Sequence, residues 1–227
     1  MTAISSARTE LALNFGELLH RRRATPTFED TPVPTEDLDR MLEFAREAPS
    51  GYNFQPWRFL LLRDPQQRAR LREAAFDQPK ITQAPVMVVA FAPREAWKET
   101  ADEILKTAAA SAGSAARDPA KIKSSAFAFL DKLDRATWLN RQVMIAFTYL
   151  MLAAEVLGWD TAPMEGFDAA AVRRALALPE DSEVVALLAI GRAKEPRKTH
   201  PGRLPVGRIA FDDRADRPWR AGASRSA

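Results

Sequence analysis

Ala48-Pro49-Ser50-Gly51-Tyr52-Asn53-Phe54-Gln55-Pro56-Trp57 joins a helix pattern on its N-terminal side to a strand pattern on its C-terminal side. Upstream, Pro34-Thr35-Glu36-Asp37 announces a helix, with Thr35 as its expected N-cap and acids in the first turn. Leu38, Met41, Leu42 and Ala45 form its apolar stripe, and Pro49 bars its extension. Downstream, Trp57 to Leu62 is an apolar run of strand length. The decapeptide between them carries a hydroxyl, two carboxamides and a glycine. Asn53 and Gln55 each offer a donor and an acceptor, which the edge of a flavin or a nucleobase requires. A connecting loop that satisfies its own backbone uses the same groups, so both readings stand at this point.

Outward from this loop the pattern alternates between helices and a few core strands. A first amphipathic helix is expected from Glu10 to Arg23, with Leu11, Phe15, Leu18 and Leu19 on one side and Pro26 beyond its end. A helix starting with Pro65 at N1 runs through Leu71 to Phe76, and Pro85 to Phe91 reads as a strand buried on both faces. Pro93 to Lys132 reads as alanine-rich helices broken around Gly113 and Pro119. From Asp134 to Leu157 a long helix is apolar well round its cylinder, as for a core or subunit-interface helix. Gly158 ends it, Asp168 caps a short helix through Leu176, and Glu183 to Ile190 is the last core strand. The remainder, from about residue 192, reads as an extended tail. The expectation is one α+β domain, residues 1–227, with a small central mixed sheet flanked by helices and a helical insert at about 94–132.

Composition narrows the chemistry. The 227 residues are 46% apolar and 28% charged, ordinary for a globular chain. With no cysteine there is no disulfide, thiolate metal site or cysteine nucleophile, so redox chemistry needs a borrowed cofactor. The two histidines, His20 and His200, belong to no metal-ligand spacing, so no metal is expected. Lys and Arg number 33 against 30 Asp and Glu, interleaved, which lacks the broad basic stripe of a nucleic-acid binder. No stretch approaches the roughly 20 apolar residues of a membrane span, and Met1 to Asn14 does not read as a signal peptide. The expectation is a cytoplasmic protein with small-molecule partners, no nucleic acid and no membrane.

Two further segments carry groups with chemical use. Arg21-Arg22-Arg23 can present guanidinium forks to a phosphate, or simply place cations at the negative end of a helix. Thr161-Ala162-Pro163-Met164-Glu165-Gly166-Phe167 follows the long helix, and its proline and glycine suit an irregular backbone close to a flat ligand, or a tight turn into the next helix.

In their order and separation the three segments resemble the nitroreductase family. Its members begin with Arg-Arg-Ser-x-Arg-x-Phe, carry an Ala-Pro-Ser-x-x-Asn-x-Gln-Pro-Trp loop, and turn through Pro-Met-x-Gly-Phe after the core helix. The resemblance runs from Leu19 to about Phe211 and is poorest over Arg94 to Lys132. It implies a homodimer of α+β subunits with two FMN molecules at the interface, each bound by both chains. Arg22 and Arg23, with Ala24 beside them, would then reach the FMN phosphate and ribityl chain. Pro49, Ser50, Gly51, Asn53 and Gln55 would contact FMN, partly from the partner subunit. Pro163 and Met164 would lie on the ring, the backbone of Glu165 and Gly166 would face flavin N5, and Lys80 would sit near the pyrimidine end. Arg203, within Arg203-Leu204-Pro205, resembles the last phosphate contact. The sequence departs from the pattern at Ala24, where the family has serine, and at Pro26 and Pro201, where it has basic residues.

The implied activity is a ping-pong cycle in which NADH or NADPH reduces FMN and an electron-poor nitroaromatic or quinone takes the electrons. No side chain is an evident proton donor, and the flavin carries the chemistry. Tyr52, Phe54, Phe127, Phe129 and Trp138 are either acceptor-pocket or core aromatics. The departures motivate two alternatives: a flavin carrier or sensor without turnover, and a specialised flavin dehydrogenase or dehalogenase whose specificity lies in the 94–132 insert.

Overall fold

The computed structural model describes residues 15–112, 118–196, 199 and 202–220. The chain divides into two units, Met1–Arg197 and Lys198–Ala227. The first unit is built on four strands, β1 (Arg58–Leu62), β2 (Val86–Pro93), β3 (Asp160–Met164) and β4 (Ser182–Gly191), in the order β1-β2-β4-β3. Around them lie helices α1 (15–21, its described part), α2 (Thr35–Arg46), α3 (Pro65–Ala74), α4 (Lys80–Gln83), α5 (Ala96–Ala112), α6 (Pro119–Leu130), α7 (Arg135–Val156) and α8 (Ala169–Ala175).

The α+β class is as expected, but the strand directions are not mixed. All three pairings in the sheet are antiparallel, and its parallel element is a single bridge from Ala24 to Thr161. Apolar continuity in β2 and β4 reports burial on two faces and says nothing of direction. Both faces are covered here. Val86, Val88 and Ala90 of β2 enter one core cluster with Met41 of α2 and Val143, Phe147 and Leu150 of α7. Met87 and Val89 enter a second with Leu71, Ile81 and Val172 of α3, α4 and α8. The period-two alternation of a strand thus feeds two helical layers.

Helix starts follow local chemistry. Asp64, Asp118, Asp134 and Asp168 accept backbone N–H bonds at the starts of α3, α6, α7 and α8, and prolines open α3 and α6. Thr35 is not an N-cap: α2 begins on it, Pro34 stands at the cap, and the Thr35 hydroxyl accepts from Arg63 Nη1 instead. Two elements went unread in the sequence. The four-residue α4 is shorter than any periodic signal, and β3 contains Pro163, which an edge strand tolerates because one side of it needs no donor.

An aromatic cluster ties the insert to the core, and Arg94 at its start pairs with Glu183 of β4. Trp97 of α5, fully buried, lies 5.1 Å from the rings of Phe54 and Phe127 and 5.3 Å from Trp138 of α7. Asp102 and Lys123 link α5 to α6. Helix α7 buries Trp138, Leu139, Val143, Phe147 and Leu150 but leaves Ile145, Tyr149 and Val156 exposed. In the second unit a short 3-10 turn (Val206–Arg208) and a bridge from Phe211 to Pro218 stand among exposed apolar side chains. Among the described residues no helix is long and apolar enough to cross a membrane, and no group of three acidic or histidine side chains is placed to hold a metal.

Candidate functional site

The predicted site residues of the first unit fall into two groups, at opposite edges of the sheet. At the β3 edge the Arg22–Thr25 segment runs beside the strand. Thr25 N donates to Thr161 O at 2.9 Å, and Ala24 bridges to Thr161. Thr161 is fully buried and its hydroxyl donates to the buried carboxylate of Glu155 at 3.1 Å, which fixes the strand to α7 behind the segment. Arg22 and Arg23 are half-buried. Arg23 Nη1 donates to Arg22 O, but Arg22 Nη1 and Arg23 Nε are buried with no acceptor among the described residues. A buried donor left unsatisfied costs about 1–3 kcal/mol, more when charged, so this pair is suited to anionic oxygens.

Where β3 ends, the chain turns through Glu165 and Gly166, both exposed, while Met164 is buried and Pro163 half-buried. The carbonyl of Gly166 accepts from Gln78 Nε2 at 2.7 Å, and the same amide donates to Ala75 O at 3.1 Å. Gln78 thereby ties the turn to the segment that leads to Lys80, half-buried at the start of α4. That segment bends sharply, with φ of +54° at both Phe76 and Asp77, and Asp77 is held by Arg72 at 2.6 Å. Directly after the turn, Asp168 caps α8. The amides of Ala171 and Ala170 hold its carboxyl below the usual carboxylate range.

At the β1 edge the decapeptide folds on itself. Gly51 N donates to Gln142 Oε1 of α7 at 2.8 Å, Gln55 N donates to Ser50 Oγ at 3.0 Å, and Gln55 Nε2 donates to Asn53 O at 3.2 Å. Tyr52, Asn53 and Gln55 adopt φ of +56°, +58° and +46°. Left-handed backbone at non-glycine residues costs of order 1 kcal/mol or more and persists where surroundings impose it. Between them Phe54, fully buried and stacked on Trp97, anchors the loop, together with the Gly51–Gln142 and Gln55–Ser50 bonds. Next to the loop lies a cavity of about 540 Å³, with Asn53, Gln55 and Arg58 on one wall and residues of α5 on the other.

Strands β1 and β3 are separated by β2 and β4, about 14 Å at ordinary strand spacing, while the start of β1 and the end of β3 lie at the same end of the sheet. One chain therefore brings Arg22, Arg23, Ala24, Lys80 and Pro163 to Gly166 to one edge and Pro49 to Gln55 to the other. Arg203 lies in the second unit, exposed, its Nη1 donating to Gly202 O. Pro201 and His200 fall outside the described residues. Of the five aromatics, Phe54 and Trp138 are core, Phe127 is partly buried, and Tyr52 and Phe129 are exposed. The sequence did not point to Thr25, Gln78, Gln142 or Thr161 as supports. Each acts through a contact distant in sequence, for which local pattern carries no signal.

A model of the nitroreductase family matches residues 19–192, and the chain belongs to that family. A relative named NADH dehydrogenase from Thermus thermophilus is 37% identical over 192 residues, covering 84% of this chain and 92% of its own. A nitroreductase-like protein from Streptococcus mutans superposes with a TM-score of 0.79 at 25% identity, over 89% of this chain and 98% of its own. A structure from Exiguobacterium sibiricum in complex with FMN has the same fold, with a TM-score of 0.76 at 24% identity, covering 86% and 95% of the two chains. The names among its relatives make this chain an oxidoreductase of the nitroreductase type.

Proposed function

We propose that the chain binds FMN between two copies of itself and works as an NAD(P)H-dependent reductase of electron-poor acceptors, nitroaromatic or quinone in type. One observation carries the reading: two adjacent guanidinium groups, Arg22 and Arg23, hold buried N–H donors beside β3 that find no acceptor among the described residues. They would take the phosphate. The Pro163–Gly166 turn, braced by Gln78, would support the ring with its backbone, and Lys80 would place a cation near the pyrimidine end. Pro26 can supply no charge, which leaves Lys80 and backbone amides to stabilise negative charge on the ring system. Ser50, Asn53 and Gln55 of the partner subunit would complete the site. The separation of the two groups across the sheet and the apolar Ile145, Tyr149 and Val156 exposed on α7 both support a homodimer. Bound there, FMN would supply the redox chemistry that couples oxidation of NADH or NADPH to reduction of the acceptor.

The test is the spectrum of the purified chain, identification of any released flavin, and anaerobic titration with each nicotinamide nucleotide. A flavin spectrum that bleaches on titration is the expected result. A colourless chain that FMN cannot reconstitute overturns the binding reading. A yellow chain that neither nucleotide bleaches overturns the reductase reading and leaves a flavin carrier.

A further inference from the structure

The cavity beside the decapeptide has a wall that the function above does not use. Thr100, Glu103 and Thr107 lie on one face of α5 and look across at Asn53, Gln55 and Arg58. At about 540 Å³ the space is of a size that holds small ligands, for which the usual range is about 300–1,000 Å³.

Its two charges are placed differently. Arg58 is bound into the loop wall, its Nη1 donating to Gln55 O at 3.2 Å and Trp57 O at 2.7 Å. Glu103, exposed on α5, forms no ion pair among the described residues. Its neighbour Asp102 is paired with Lys123, and Lys98 is paired with Glu95. Arg58 and Glu103 thus line one cavity without neutralising each other.

We propose that this cavity receives the electron acceptor and that Glu103 is its specificity-determining residue. It selects aromatic acceptors that carry a positive group at the end remote from the loop and disfavours those that carry a carboxylate there. The inference rests on the reading that Asn53 and Gln55 face the flavin, because that sets the orientation. The oxygens of a nitro or quinone group meet Arg58 beside the flavin, and the opposite end of the ring meets Glu103.

Calorimetric titration of the purified chain, as isolated and without nicotinamide nucleotide, tests this with para-nitrobenzylammonium and para-nitrobenzoate. The wild-type chain should bind the cation about fivefold more tightly than the anion, the scale of an exposed ion pair. Glu103→Gln should bring the ratio near unity, and Glu103→Lys should invert it. Glu99→Gln, which alters an exposed acid on α5 outside the cavity lining, should leave the ratio in place. A wild-type ratio near unity, a ratio that survives both Glu103 changes, or an equal effect of Glu99→Gln overturns the proposal. Charge-selective binding without any turnover would sink the reductase reading, and with it the cavity's role as acceptor site, and leave Glu103 only as the cavity's charge selector. Turnover without charge selectivity would leave the reductase reading and overturn this proposal.

Discussion

The two edges of the sheet carry polar groups in opposite states. At the β1 edge, Ser50 Oγ and the Asn53 carbonyl take the two amides of Gln55, and the loop holds three left-handed residues in place. At the β3 edge, Arg22 and Arg23 keep buried N–H donors with no acceptor among the described residues. The first arrangement braces its own backbone and stores its strain there. The second is incomplete and stores its cost in desolvated charge. A site assembled from one edge of each of two subunits would combine a rigid, preformed wall with a strongly attracting one.

The largest expected effect comes from removing the buried anchor of the left-handed backbone. Phe54→Ala should destabilise the chain by about 3–5 kcal/mol, as for a large aromatic lost from a packed core. It should also release the loop, read by urea unfolding and by hydrogen exchange at Gly51 and Gln55. A loss below about 1 kcal/mol, or exchange unchanged at those amides, would mean that the loop holds itself and that the contrast between the edges is not one of imposed strain.

Arg22→Met separates the two edges next. If the unpaired donors are a cost borne for a phosphate, the flavin-free chain should lose no stability in thermal melts. FMN affinity should weaken by about 1.5–3 kcal/mol, the range for hydrogen bonds to charged groups. A flavin-free chain that melts markedly lower would make Arg22 a structural residue. Smallest of the three, Ser50→Ala removes the acceptor of the Gln55 amide and should cost about 0.5–1.5 kcal/mol of stability. Because Gln55 is half-buried, water can replace part of that bond. An effect on FMN affinity larger than that on stability would show Ser50 to be a cofactor contact as well as a brace.

Helix starts were legible because Asp134 and Asp168 act on amides two or three residues away, and the long apolar α7 was legible from its pattern. Among the site segments, the decapeptide and the arginines were legible as polar groups in a distinctive order. What failed did so for identifiable reasons. Strand direction in β2 and β4 leaves no mark when both faces are buried, and Pro163 disguised β3 as a turn. Thr35 looked like a cap until Pro34 took that place and Arg63 took its hydroxyl.

Sequence alone determined which local chemistry each segment carries: caps, apolar periodicity, the absence of thiols, and three motifs in family order. These depend on residues within a turn or two of one another, where side-chain type and spacing fix the interaction. Only the tertiary structure decided that Thr161 pins the arginine segment, that Gln78 braces Gly166, and that Gln142 of α7 holds Gly51. It alone put the two groups of site residues on opposite edges of one antiparallel sheet. Those outcomes follow from strand order and helix packing, which bring together residues far apart in the chain.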